Sequence, residues 1–200
     1  MFSMQSPLFR AVSVILRFVG LNLLFLLGCL LIITIPAATA ALFAVVRQMA
    51  LGRDPHIWTG FWTAFRENLL QSSYIGALLG AVLLIMIVDA RALSVLHHNH
   101  LGLISIGILW SAGILEALLA LYLFPIMVHM QLPTQAVVTN AVKLCVYRPD
   151  LTILNALAVV FFTYCALRVP ILFGGLYFSV CASTTYWIAD KKFRTLLARQ

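Results

Sequence analysis

The sequence predicts an all-α membrane protein, a polytopic bundle of about six transmembrane helices with two amphipathic helices in the membrane interface. Two observations support this fold class. Of the 200 residues, 63% are hydrophobic and 10% are charged, whereas a soluble domain has roughly 25% charged residues. The apolar residues also occur in runs long enough to cross a membrane. We therefore expect a single transmembrane domain over residues 1–200.

The first apolar run, from Val14 to Ile35, is long enough to form one crossing by itself. It is longer than the apolar core of a signal peptide, roughly 7–15 residues, so we do not expect cleavage after it. Pro36 lacks an N–H and suits the first turn of a new helix, which Thr34 could cap by accepting a backbone hydrogen bond.

The residues after this proline predict a short second crossing from Ala37 to Ala50. Small side chains would let it pack closely against its neighbours. The expected packing residues are Pro36, Ala37, Ala38 and Ala41.

Four further crossings follow from the remaining apolar runs. We place them at Tyr74 to Val88, Leu101 to Met130, Leu151 to Leu167 and Pro170 to Ala189. A proline just after Arg168 favours a turn between the last two, and Gly174-Gly175 suggests a second break. Gly76 and Gly80 form a G-x-x-x-G motif, which permits close helix packing within the chain or between subunits.

The basic residues favour six crossings with both termini in the cytoplasm. With the short second crossing, 11 of the 13 Lys and Arg residues lie inside, and only Arg91 and Arg168 lie outside. Without it, the loops that carry Arg47, Arg53 and Lys143 would move outside. The net charge of +7 therefore indicates membrane orientation and contact with anionic lipids, and no basic domain for nucleic acid is present.

Two cytoplasmic segments have the periodicity of amphipathic helices. In the first, an aromatic face carries Trp58, Phe61, Trp62 and Phe65, and Arg66 lies off that face. The second starts at Thr134. Each could anchor under the bundle, and the aromatic face could instead dock a cytoplasmic partner.

Glu116 lies near the middle of the fourth crossing, where an ionisable group is costly. It could bind a proton or substrate, or it could be a protonated or paired structural residue. Candidate partners in the sequence are Arg17, Asn22, Asn155 and Arg168.

The other motif searches predict no catalytic or metal site. His97, His98 and His100 are more typical of a solvated loop than of a metal site, and the four cysteines are widely spaced. No phosphate-binding loop, zinc-protease motif or nucleophile elbow is present. We expect a non-enzymatic protein without a cofactor.

The chain resembles the YesL family of small bacterial membrane proteins. The similarity lies in "FVGLNLLFLLGCLLIITIPAATAALFAVVR", in the following "FWTAFRENLLQS", and in "NAVKLCVYRPDLTILNAL" further on. Ile35 stands where the family usually has glycine before the proline. The resemblance implies an integral membrane protein encoded beside carbohydrate ABC importers and polysaccharide-degrading enzymes, with no catalytic residues to transfer.

These observations predict an accessory or assembly subunit of a bacterial carbohydrate ABC importer, with membrane lipids and permease subunits as partners. The alternative is a stand-alone transporter that moves a small solute past Glu116. The sequence leaves the oligomeric state open.

Overall fold

The computed structural model describes residues 7–95, 100–130 and 132–197, and all regular secondary structure within these ranges is helical. The helices are α1 (Pro7–Gly28), α2 (Ile35–Ala50), α3 (Ile57–Val95), α4 (His100–Met130), α5 (Thr134–Val146), α6 (Pro149–Arg168) and a final helix, α7. Helix α7 begins as Pro170–Leu172, passes through a π-helical turn at Phe173–Tyr177 and continues as Phe178–Leu197. Five helical segments are long and apolar enough to span a membrane, and α1 adds a shorter apolar stretch, Val12–Gly28. The chain is thus a multi-pass membrane protein.

Helix α2 is the centre of the bundle and packs against α1, α3, α4 and α7. It begins at Ile35 with Pro36 in its first turn, as the sequence predicts. The expected cap at Thr34 is wrong: its hydroxyl donates to the carbonyl oxygens of Gly28 and Leu31, so it closes the end of α1 instead. Gly52, with φ of 71°, lies in the turn just after α2, in the left-handed conformation that glycine tolerates.

Helix α3 joins two predicted elements into one. The aromatic amphipathic segment and the third crossing form a single 39-residue helix, without the expected break between them. Polar side chains at the junction bond back to their own helix: Asn68 Nδ2 donates to the Ala64 carbonyl, and Ser72 Oγ donates to the Asn68 carbonyl. The polar junction therefore satisfies its hydrogen bonds without leaving the helix.

Helix α5 is a separate amphipathic helix, as expected for the second surface segment. Its buried residues are Val137, Ala141, Leu144 and Cys145. A tight connection to α6 follows, with Arg148 at φ of 53° and its guanidinium 2.9 Å from Asp150 Oδ2.

The last two spans divide at the predicted place, with α6 ending at Arg168 and α7 starting at Pro170. The second predicted break, at Gly174-Gly175, coincides with the π-helical turn. The regular α-helix is interrupted there, although the chain stays helical through the turn.

Candidate functional site

Asn22 of α1 holds the π-helical turn of α7. Its side chain is fully buried, and Nδ2 donates to the carbonyl oxygens of Gly174 (2.5 Å) and Phe173 (3.3 Å). Its Oδ1 accepts from the backbone N–H groups of Phe178 (2.8 Å) and Ser179 (3.4 Å). A π-helical turn displaces backbone groups from the regular ladder, and one amide side chain satisfies both kinds of group here. Asn22 is thus bonded to backbone rather than to Glu116.

Lys192 near the end of α7 is a fully buried cation. Its Nζ donates to the Leu144 carbonyl (2.9 Å) and to Thr152 Oγ1, and it lies 4.4 Å from the centre of the Tyr122 ring. Leu144 is in the last turn of α5, where carbonyl groups are unpaired and the helix dipole is negative. The ammonium is therefore compensated by a helix C-terminus and an aromatic face.

Asn155 lies in the same buried polar cluster on α6. Its Oδ1 accepts from Thr185 Oγ1 at 3.1 Å, while Thr152 Oγ1 donates to the Cys145 carbonyl at 2.8 Å. Asn155 Nδ2 and the Tyr122 hydroxyl are buried without a hydrogen bond. The cluster links α4, α5, α6 and α7 through side-chain and backbone contacts.

A second polar contact joins the ends of α4 and α7. His129 Nδ1 lies 3.1 Å from the Tyr186 hydroxyl, and the His129 ring stacks on Phe193 with centroids 4.6 Å apart. Arg47 of α2 contributes charge beside both rings, and its Nε is buried without a hydrogen bond.

Sequence reasoning missed Lys192, Tyr122 and His129 as buried polar residues. A signal for Lys192 does exist, because Ala182, Thr185, Ala189 and Lys192 recur at helical spacing and are all buried. The lysine therefore continues the buried face of α7, although its charge suggests solvent.

Glu116 occupies a different setting, between α3 and α4. It is half-buried and lines a cavity of about 310 Å³ together with apolar side chains: Ile75, Leu78, Leu79, Val82, Ala112, Leu115, Leu119, Leu123 and Val138. Among the described residues none forms an ion pair or hydrogen bond with it.

The partners that the sequence offered for Glu116 are engaged elsewhere. Arg17 pairs with Asp54 at 2.7 Å, and the Arg168 guanidinium lies 5.2 Å from the centre of the Tyr164 ring. Asn22 and Asn155 bond within the clusters described above. No predicted partner reaches the carboxyl.

The aromatic face of α3 is divided between core and surface. Phe61 is fully buried, Trp62 and Phe65 are half-buried against the core, and Trp58 is 61% exposed. The Trp62 ring contacts the rings of Phe61 and Phe65 edge to face, at 5.7 and 5.3 Å. Arg66 is exposed. Most of the face thus packs under the bundle, which leaves Trp58 and Arg66 on the outside.

The predicted packing residues behave differently from one another. Ala37, Ala38 and Ala41 are fully buried in α2. Gly76 lies so close to Pro36 that a Cβ added to it would overlap the proline ring, whereas a Cβ at Gly80 would meet nothing within 4 Å. The G-x-x-x-G motif therefore makes one contact within the chain, through its first glycine.

The described residues contain no group of His, Cys, Asp or Glu side chains that could hold a metal ion. His97 and His98 lie outside the described residues, as does the side chain of His100. The buried polar side chains described above bond mainly to helix backbone, which is an arrangement suited to fixing helices.

Comparison with known proteins gives a family match and several similar proteins. Residues 18–90 match the family "Protein of unknown function, DUF624". YesV of Bacillus subtilis (strain 168) is 33% identical over 132 residues, which cover 65% of this chain and 62% of YesV. YteU of the same strain is 34% identical over 122 residues, covering 58% of this chain and 53% of YteU.

YesL of that strain is 26% identical over 146 residues, covering 71% of this chain and 68% of YesL. The matches to YesV and YteU thus span less than two thirds of those proteins' length. No solved structure matches the chain. The predicted resemblance is confirmed: the chain is similar to YesL, YesV and YteU, and its residues 18–90 match the DUF624 family.

Proposed function

We propose that the chain is a non-enzymatic accessory or assembly subunit of a bacterial carbohydrate ABC importer, and that it binds a permease subunit through the α3–α4 hairpin. The observation that carries this proposal is the exposure of the hairpin's outer half. Large apolar side chains there are uncovered on both helices: Leu78, Val82, Leu83, Leu84, Ile85, Ile87 and Val88 on α3, and Ile108, Trp110, Ile114 and Leu115 on α4.

A groove on the hairpin gives this surface a shape that a neighbouring helix could fill. It has a volume of about 610 Å³ and is lined by apolar residues that include Met86, Leu109, Trp110 and Gly113. Glycine at position 113 brings α4 close to Met86, whose Cε would lie 2.9 Å from an added Cβ. Helices in lipid associate through such close packing rather than through a hydrophobic driving force.

The importer itself is suggested by the YesL resemblance, because that family is expected beside carbohydrate-uptake systems. We place the chain in the bacterial cytoplasmic membrane with both termini inside, on the strength of the 11 Lys and Arg residues assigned to that side. Anionic lipids would meet the same side.

Photo-crosslinking tests the proposal. A photoreactive amino acid replaces Trp110 in the hairpin groove, which is 71% exposed, or Leu157 on α6, which is 61% exposed. Each variant is purified in mild detergent from cells that carry tagged permease subunits of the host's carbohydrate importers. We expect a permease crosslink from position 110 and none from 157. Absence of permease from the wild-type preparation and from both crosslinked samples would refute the proposed function.

The alternative function is transport of a small solute past Glu116, and the cavity beside that carboxyl favours it. Its other lining side chains are apolar, however, whereas a solute path needs several polar groups that can exchange partners. Uptake of a labelled sugar by vesicles that contain the purified chain and no importer would support transport over the accessory role.

A further inference from the structure

We propose that Glu116 is a polar contact site on the α3–α4 hairpin, at a cavity separate from the Trp110 groove, and that it pairs with a basic side chain in a transmembrane helix of the permease subunit. This inference rests on the proposed function and names the chemistry of its recognition. It starts from the position of the carboxyl. In α4, Glu116 lies 16 positions after His100 and 14 positions before Met130, so it is about 24 Å and about 21 Å from the two helix ends.

A carboxyl at this depth is costly without a partner. Insertion scales assign at least about 2.5 kcal/mol to an acidic residue at the centre of a transmembrane helix. The described side chains supply no ion pair or hydrogen bond to offset that cost. Protonation would lower this cost, and with the carboxyl ionised a basic group from outside the described part of the chain would offset it.

Two strongly polar residues of the spanning helices differ from Glu116 in burial and in bonding. Asn22 and Lys192 are fully buried, and each makes at least two hydrogen bonds to groups on other helices. Glu116 differs because it is half-buried and its cavity can be reached from outside, past Leu78 (45% exposed) and Leu115 (55% exposed). The carboxyl is thus presented to a neighbour.

The chemistry of the cavity selects the neighbour. Its walls are apolar apart from the carboxylate, so an occupant must be apolar along most of its length and carry one compensating charge or donor. A lipid tail meets the first requirement but carries no charge or hydrogen-bond donor. A transmembrane helix with one Lys, Arg or His at the depth of Glu116 meets both requirements, and an ion pair in such surroundings is weakly screened.

Four variants test the pairing: Glu116→Gln, Glu116→Leu, Glu116→Asp and Glu116→Arg. Permease recovery is measured by mild-detergent copurification at matched abundance of the chain. We expect Glu116→Asp to keep recovery within about twofold of wild type, and Glu116→Gln and Glu116→Leu to lower it about tenfold, which is about 1.4 kcal/mol. Glu116→Arg should lower it at least as far.

A photoreactive residue at Leu115 then maps the neighbour. The crosslinked permease peptide should come from a transmembrane helix with a basic residue. When that basic residue of the permease is replaced by Glu, recovery of the permease with the Glu116→Arg variant should be restored, because the two partners have exchanged their charges.

The remaining outcomes each refute part of the argument. If all four variants recover permease equally, Glu116 plays no part, although the accessory role stands. If Glu116→Gln matches wild type while Glu116→Leu fails, the partner offers a neutral hydrogen bond and the basic residue is wrong. If the photoreactive residue at position 115 crosslinks to a second copy of this chain, that copy fills the cavity beside Glu116 and the permease pairing is wrong. If no permease copurifies with the wild-type chain, both this inference and the proposed function are refuted.

Discussion

Replacing Asn22 by leucine should destabilise the bundle through one α1–α7 contact. The leucine side chain is close to asparagine in size, so the change removes the amide while keeping most of the volume. It deletes the two short hydrogen bonds, to the Gly174 carbonyl at 2.5 Å and from the Phe178 N–H at 2.8 Å, together with two longer ones. The backbone groups of the π-helical turn then lose their partner in apolar surroundings.

The magnitude follows from the two short bonds. Hydrogen bonds between membrane helices contribute about 0.6 kcal/mol each on average and up to about 1.7 kcal/mol. A hydrogen bond whose loss leaves a buried backbone group unpaired has a cost toward the upper end of that range. We therefore expect a loss of about 2 kcal/mol. For a chain of this length that corresponds to a fall in melting temperature of roughly 4–8 °C.

The assay uses the chain's own thiols. Cys145 is buried, and Cys29, Cys165 and Cys181 are half-buried, so a thiol-reactive dye reports unfolding in detergent during a temperature ramp. Asn68→Leu is the matched control, because the Asn68 amide donates within its own helix, to the Ala64 carbonyl. A shift for Asn22→Leu no larger than that of the control would refute the reasoning.

Three further predictions concern packing, the buried lysine and topology. Gly76→Ala should cost about 1–3 kcal/mol through overlap with the proline ring, whereas Gly80→Ala, with open space around it, should be neutral or slightly stabilising in the same melt. Burial raises the pKa of the Cys145 thiol in α5, and the Lys192 ammonium lowers it. The loss of charge in Lys192→Met would by itself slow maleimide labelling of Cys145. We nevertheless expect faster labelling, because the end of α5 loses its hydrogen bond to Lys192 and opens more often. In a background without other cysteines, an impermeant maleimide added to intact cells should label Val169→Cys and spare Arg53→Cys; the reverse pattern would overturn the orientation.

The helix boundaries that proline defines could be predicted from the sequence, because their cause is local. Pro36 and Pro170 each lie in the first turn of a helix, where a missing N–H costs nothing. The π-helical form of the interruption at Gly174-Gly175 could not be predicted, for the opposite reason. This conformation depends on Asn22, which lies some 150 positions earlier in the sequence.

The buried polar contacts could be predicted only in part, since each depends on which helices meet. Asn22 and Asn155 stand out as amides in apolar runs. Lys192 lies near the basic C-terminal end, where a solvated role is the natural expectation, and only the arrival of the α5 carbonyl groups makes its burial favourable. The continuity of α3 likewise depends on side chains that bond back to the helix rather than on hydropathy.

The distribution of polar groups limits what this bundle can do in a membrane. A solute path requires side chains that release one partner and take another, yet Asn22 cannot leave its partners without unpairing the π-helical turn. Lys192 cannot leave without exposing the last turn of α5 to an apolar interior. Among the described residues, transport would then have to use Glu116 in its otherwise apolar cavity or the His129–Tyr186 contact beside Arg47. Recognition of a neighbouring helix requires only one polar group on an apolar surface, which is the reason why we propose the accessory role ahead of transport.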